Sequence, residues 1–169
     1  MLVLDLKGNA YERGLAQGSR LKDNWKKMEN DFFTSETIKE AKPAIVPNFV
    51  VRLALSMWGK GRTRPALMKH FPVQAERVRG LAKGLGITEA YGWGLQYAEL
   101  LFCLSTSSLD IPGACTQIHA APSATADGAP LTGRNYDFPN MLLPHQIVRR
   151  DIPAEKDRYA TVTVTQIPN

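Results

Sequence analysis

The chain has 169 residues, 44% of them apolar and 22% charged, with a formal net charge of +5. This is the composition of one ordinary globular domain, large enough to bury most of the surface its unfolded chain exposes, and it excludes a disordered or low-complexity chain. Two cysteines provide no disulfide framework and no apolar stretch approaches the roughly 20 residues of a membrane-spanning helix, so a reducing, cytoplasmic setting is expected.

The opening MLVLDLKGNAYERG holds an aspartate within a short apolar run and lacks a basic start, unlike a signal peptide. Leu2 to Leu6 reads as a strand ended by Gly8. Leu21, Trp25, Met28 and Phe32 then recur at spacings that line one face of a helix from about Ala10 to Phe33. Phe49 to Trp58 is apolar nearly all round, which predicts a buried helix stopped by Gly59 and Gly61, with Pro43, Pro47 and Pro65 punctuating its surroundings. Val78, Leu81 and Leu85 form a further helical stripe ended by Gly84 and Gly86, and Thr88 caps a helix reaching about Leu104.

The pattern changes near residue 110. Cys115 to Ala121 has no helical stripe, Pro122 to Pro130 is rich in turn residues, and Leu131 to Phe138 is again extended. Gln146 to Arg150 and Tyr159 to Ile167 read as two more strands, the second alternating threonine with valine. An α+β fold is expected, with a mainly helical region over 1–114 and the start of a β region over 115–169. So few strands leave their sheet without visible closure or cover, which a stable domain avoids. The chain therefore reads as the N-terminal part of something larger.

The charge excess lies wholly before Cys115: residues 1–114 carry 16 Lys and Arg against 11 Asp and Glu, and residues 115–169 carry 5 against 5. Most of these charges are spread along amphipathic segments as solvated faces, with one cluster at Lys60, Arg62, Arg64, Lys69 and His70. Neither a nucleic-acid nor a membrane partner is expected.

The hairpin formed by 115–138 carries the chemistry. A turn centred near Ala126 pairs residues whose numbers sum to about 252, which sets Cys115 opposite Asp137 on one face. Arg134, three residues before Asp137, then points to the other face unless a bulge near Gly133 turns it back. Cys103, within the apolar run Leu100 to Leu104, reads as a small buried apolar residue, and the residues alone leave both that role and a nucleophilic one open to Cys115. Arg134 and Asp137 are equally open to being a hairpin ion pair. His70, His119 and His145 have no metal-ligand spacing and offer no partner for a cysteine protease dyad, so a nucleophilic Cys115 needs another base.

Gly113-Ala114-Cys115-Thr116, then Asp127-Gly128, then Gly133-Arg134-Asn135-Tyr136-Asp137-Phe138 resembles the acyl-CoA:isopenicillin N acyltransferase family of N-terminal-nucleophile hydrolases. Tyr11-Glu12-Arg13-Gly14 with Gln17-Gly18 is similar to that family's first helix, and Arg79-Gly80-Leu81-Ala82-Lys83-Gly84 to the helix before its cleavage region. The GRNYD element also resembles the related bile-salt hydrolase and penicillin V acylase group. The resemblance implies a four-layer αββα sandwich, of which this chain would be the N-terminal part, and a precursor that cleaves itself between Ala114 and Cys115. The freed α-amino group then accepts the thiol proton, Asp137 holds that amine, and Arg134, which some acyltransferase members lack, positions groups at the nucleophile. It implies an amide hydrolase or acyltransferase working through a thioester on a small-molecule amide or acyl substrate. No cofactor or metal is implied. The oxyanion asparagine that the family supplies from later strands would come from a remaining C-terminal part or a second subunit. The alternative is a catalytically silent domain acting in binding or assembly.

Overall fold

The computed structural model describes residues 2–36, 39, 46–106, 115–136 and 140–166, with the backbone alone described at 99–106, 115–116, 134–136, 140–141 and 166. The fold is α+β. Strand β1 (Leu2–Gly8) leads into helix α1 (Ala10–Thr34), followed by α2 (Asn48–Trp58), α3 (Arg64–His70), α4 (Pro72–Leu85) and α5 (Glu89–Thr106). Strands β2 (Cys115–Ala120), β3 (Leu131–Tyr136), β4 (Gln146–Pro153) and β5 (Thr161–Gln166) complete it.

The start of α1 is fixed locally. Asn9 caps the helix by accepting from the Glu12 backbone N–H at 3.0 Å, and Glu12 Oε2 accepts from the Asn9 N–H at 2.8 Å. Gly8 sits at φ 111°, and a Cβ there would run into the Glu12 carboxylate, so glycine alone permits the strand to turn into this cap. Thr88 caps α5 as its sequence predicts, its hydroxyl accepting from Tyr91 N at 3.2 Å.

The described strands form two sheets. β1 pairs in parallel with β4, which pairs antiparallel with β5, while β2 and β3 form a separate antiparallel hairpin. The N-terminal strand therefore shares a sheet with segments about 140 residues later, Leu2 lying beside Ile147 and Leu6 beside Asp151. Leu4, Leu6 and Ile147 face the helices and join Leu21, Trp25, Met28, Leu81, Leu85 and Tyr91 in the main core. The opposite face of the sheet is apolar too. Val3, Val162 and Val164 are exposed there, beside a bidentate ion pair between Asp5 and Arg150.

Helices α1 and α4 cross at backbone contact. A Cβ at Gly14 would meet the Arg77 carbonyl and lie 2.8 Å from Leu81 N, and one at Gly84 would lie 2.5 Å from Leu15 O and 2.6 Å from Ser19 N. Gly18 and Gly80 are equally tight, against the carbonyls of Leu81 and Tyr11. Two glycines four residues apart on each helix thus form a reciprocal seam, the geometry that small-xxx-small spacing permits.

Three expectations need correction here. Gly84 does not end its helix: it is buried in the seam, and α4 stops one residue later, where Gly86 adopts the left-handed conformation at φ 74° and Ile87 N–H reaches Ala82 O at 3.1 Å. Gly59 ends α2 as an α-helix, as read, but Gly59 and Gly61 do not end the helical path. The helical path continues through a π-helical segment, Gly59–Thr63, into α3, because Gly59 lies against the backbone of Ala90 to Gly94 on α5 and serves a close approach. Finally, α2 is not buried. Among the described residues it meets the protein through Leu55 and the adjoining Gly59, through Arg52 against Glu29, and through Trp58 against Tyr97.

Replacing Gly80 by alanine should separate α1 from α4. The gain in helix propensity is about 1 kcal/mol, and overpacking against the rigid Tyr11 carbonyl should exceed it, for a net loss of about 2 kcal/mol in urea denaturation. Gly61→Ala, where a Cβ meets nothing within 4 Å, should be neutral or stabilising in the same assay.

Candidate functional site

Cys115 is the first residue of β2, where the strand part of the chain resumes after the helices. Its ladder partner is Tyr136, not Asp137: the observed pairs sum to 251, one less than a turn centred on Ala126 predicts. The cause is the turn itself, which combines a 3₁₀ segment at Pro122–Ala124 with a bend whose Gly128 sits at φ 70°. Its ten residues, 121–130, separate Ala120 from Leu131, which pair with each other.

This shift regroups the predicted residues. Gln117 pairs with Arg134 and His119 with Thr132, so strand alternation assigns positions 115, 117, 119, 132, 134 and 136 to one face of the ribbon. Cys115 and Arg134 thus share a face by register. The ladder runs without interruption past Gly133, which pairs with Ile118, so no bulge is needed to bring them together. Contact between His119 Nδ1 and Thr132 Oγ1 at 3.0 Å confirms the face assignment at the far end of the ribbon. Asp137 and Ala114 lie outside the described residues.

Gln117 and Thr132, on this same face, line a cavity of about 530 Å³. Its other walls are Gln146 at the start of β4 and Val162, Thr163, Val164 and Thr165 of β5. Gln117 and Thr132 of this face thus border a space bounded by both sheets. That volume suits a small organic molecule.

A second constellation has no counterpart in the sequence reading. Asp151, on the helix-facing side of β4, is buried among three guanidinium groups. Arg77 Nη1 donates to Asp151 Oδ1 at 2.7 Å, Arg149 Nε lies 2.6 Å from Oδ2, and Arg13 Nε lies 3.8 Å from Oδ1. Arg77 also donates to Gln17 Oε1 at 2.8 Å, and Arg13 donates to the Gly8 carbonyl at 2.6 Å and to Glu155 at 2.9 Å. Burial is the main influence lowering the Arg77 pKa, with the Arg149 charge adding to it and Asp151 opposing both. Arg13 holds the Glu155 carboxyl below its usual range by hydrogen bonding.

The signal for this cluster was in the heptad pattern. Arg13 and Gln17 occupy the stripe of α1 that continues through Leu21, Trp25 and Met28, and all five are buried. Polar side chains on a buried stripe require buried partners. Asp151 likewise alternates with Ile147 and Arg149 on β4, on the face that packs toward the helices. Arg13, Arg77 and Asp151 are all buried, and the cluster acts as a tie between β4 and helices α1 and α4.

Of the three histidines, His145 is buried and its Nε2 lies 2.9 Å from Asp31 Oδ2 of α1. Among the described residues no group of three or more His, Cys, Asp or Glu is arranged to hold a metal ion. No helix among them is long and apolar enough to cross a membrane. Compared with protein-family models and with curated proteins, the chain matches none.

Asp151→Asn should destabilise the protein by about 3 kcal/mol, because it leaves buried guanidinium groups without their counter-charge. A drop in the urea midpoint should register this. Asp5→Asn, which breaks an exposed ion pair, should move the midpoint far less.

Proposed function

We propose that this protein is an N-terminal-cysteine amide hydrolase or acyltransferase precursor in which Cys115 is the nucleophile. The observation that carries the reading is the ordered set of motifs around Gly113-Ala114-Cys115-Thr116 and Gly133-Arg134-Asn135-Tyr136-Asp137. The hairpin adds support, since Cys115 and Arg134 share a ribbon face whose Gln117 and Thr132 line a substrate-sized cavity.

Activation begins with the Cys115 thiol attacking the Ala114 carbonyl carbon. The C–S bond forms as the C–N bond to Cys115 breaks, the amine leaves with the thiol proton, and water hydrolyses the thioester to a carboxylate at Ala114. The free α-amino group, with a reference pKa of about 8, is then a matched base for a thiol near 8.5. It takes the proton as sulfur attacks an amide or acyl thioester, and returns it to the leaving amine or thiol. The acyl-enzyme is resolved by water, or by an amine in acyl transfer. Asp137, which follows Cys115's ladder partner Tyr136 in the chain, would hold the new ammonium group. Arg134, on the Cys115 face, would orient the substrate or polarise its carbonyl.

The αββα sandwich belongs to the same reading. The face of the β1–β4–β5 sheet remote from the helices presents Val3, Val162 and Val164 to solvent, an apolar surface of the kind a second sheet layer covers.

The test is the bond before Cys115. Intact mass analysis of the protein in its native context should show a piece ending at Ala114 and another beginning at Cys115, and Cys115→Ala should stay whole. Both pieces from the alanine variant would overturn the assignment. In the processed enzyme Asp137→Asn should lower kcat by about 10² or more while leaving the urea midpoint within experimental scatter. A thiol-reactive acyl probe should label Cys115 in preference to Cys103; equal labelling favours the silent binding domain.

A further inference from the structure

Helix α2 has one side that meets the protein and one whose described side chains are exposed. On the first, Leu55 packs against the main core and Arg52 donates to Glu29 at 2.8 Å and lies 5.7 Å from the Phe33 ring. On the other, Phe49, Leu53 and Met57 recur at every fourth position and are 65%, 56% and 66% exposed. Val50 and Trp58 flank this stripe at 38% and 47%, the Trp58 ring also lying 5.3 Å from that of Tyr97 on α5. Single exposed apolar residues are ordinary, but five contiguous ones on a single helix form a patch that water solvates poorly.

The chain segment that carries this patch is basic. No Asp or Glu occurs between Glu40 and Glu76, whereas six Lys and Arg do. Arg52 is neutralised by Glu29, but none of the ion pairs among the described residues engages Lys60, Arg62, Arg64 or Lys69. All four are exposed. They begin where the apolar stripe ends, and Arg62 lies 5.9 Å from the ring of Trp58, joining the two features.

We propose that α2 and the basic segment after it form a docking site for an anionic lipid surface. The chemistry selects this occupant. A second copy of the chain would bring further like charge rather than neutralise this one, and an acidic polymer would leave the apolar stripe in water. A bilayer with anionic headgroups takes the side chains of Phe49, Leu53 and Met57 below the headgroups and the cations among them. At 11 residues α2 is too short to span a bilayer and would lie in its plane. The sequence predicts no membrane partner because it holds no spanning segment, and a helix lying in the bilayer interface needs none.

Sedimentation with lipid vesicles tests this independently of Cys115 and its chemistry, using the intact Cys115→Ala protein. It should bind phosphatidylcholine vesicles containing phosphatidylserine, and bind vesicles of phosphatidylcholine alone at least about tenfold more weakly. Raising salt from about 0.1 M to about 0.5 M should release it substantially, as screening shortens the reach of the charges. Leu53→Glu/Met57→Glu should lose the binding while keeping the wild-type circular dichroism, since both positions are exposed. Lys60→Glu/Arg62→Glu/Arg64→Glu should reduce it and flatten the salt dependence. No binding by the parent protein overturns the proposal, as does equal binding by the Leu53/Met57 variant. A lipid-free dimer that this variant dissociates overturns it too, by showing that a second copy covers the face.

Discussion

Backbone contact between α1 and α4 sets the rest of the architecture. Gly14 and Gly18 press on the turn from Arg77 to Leu85, and Gly80 and Gly84 press on the turn from Tyr11 to Ser19. With side chains absent along the seam, the residues beside it determine what the helix pair presents to the sheet. Leu21 and Leu81 meet Leu6 and Ile147 in the core. Arg13, Gln17 and Arg77 converge on Asp151 from two helices. That convergence needs the short interaxial distance. Bulkier residues along the seam would widen the crossing, and a 2.7 Å hydrogen bond such as Arg77 to Asp151 tolerates little displacement.

The cluster at Asp151 then fixes the sheet. Burying charge is costly, and a carboxylate among three guanidinium groups is acceptable only in a geometry that nearly satisfies all of them. Such a requirement favours one register of β4 over its neighbours, because moving the strand by one residue would turn Asp151 to the opposite face. Parallel pairing of β1 with β4 follows, with Gly8 O accepting from Ala154 N at 3.0 Å at the end of the ladder. The same glycine carbonyl accepts from Arg13, so the cap of α1, the end of β1 and the Asp151 cluster form one continuous junction.

Much of this was legible from local signals. The Thr88 cap and the apolar stripe of α1 each act within a few residues, and the corresponding elements form as read. What was not legible depended on partners distant in the chain. Gly84 resembles a helix terminator until α1 lies against it, and a left-handed residue two positions later performs the termination. The all-apolar sequence of α2 cannot say which side will be covered, since that depends on where α5 crosses it. The register of the hairpin turned on a 3₁₀ turn at Pro122, which no strand periodicity encodes. At the candidate site, the residue types and their order were readable, but the face shared by Cys115 and Arg134 emerged only from the ladder.

Cleavage before Cys115 would sever a chain whose two parts are not separable bodies. The seven-pair ladder of β1 with β4 crosses that point, as do the Arg77 to Asp151 and Arg13 to Glu155 ion pairs and the contact of His145 with Asp31. These contacts join elements on either side of the bond without using the segment between 106 and 115. The backbone cut therefore breaks none of these named contacts, and it makes unfolding a separation of two chains whose stability depends on concentration. A fold of this kind can release an amine at residue 115 without loosening the sheet that bounds the cavity. The α-amino group gained by the cut would then work in a frame assembled before the bond was broken.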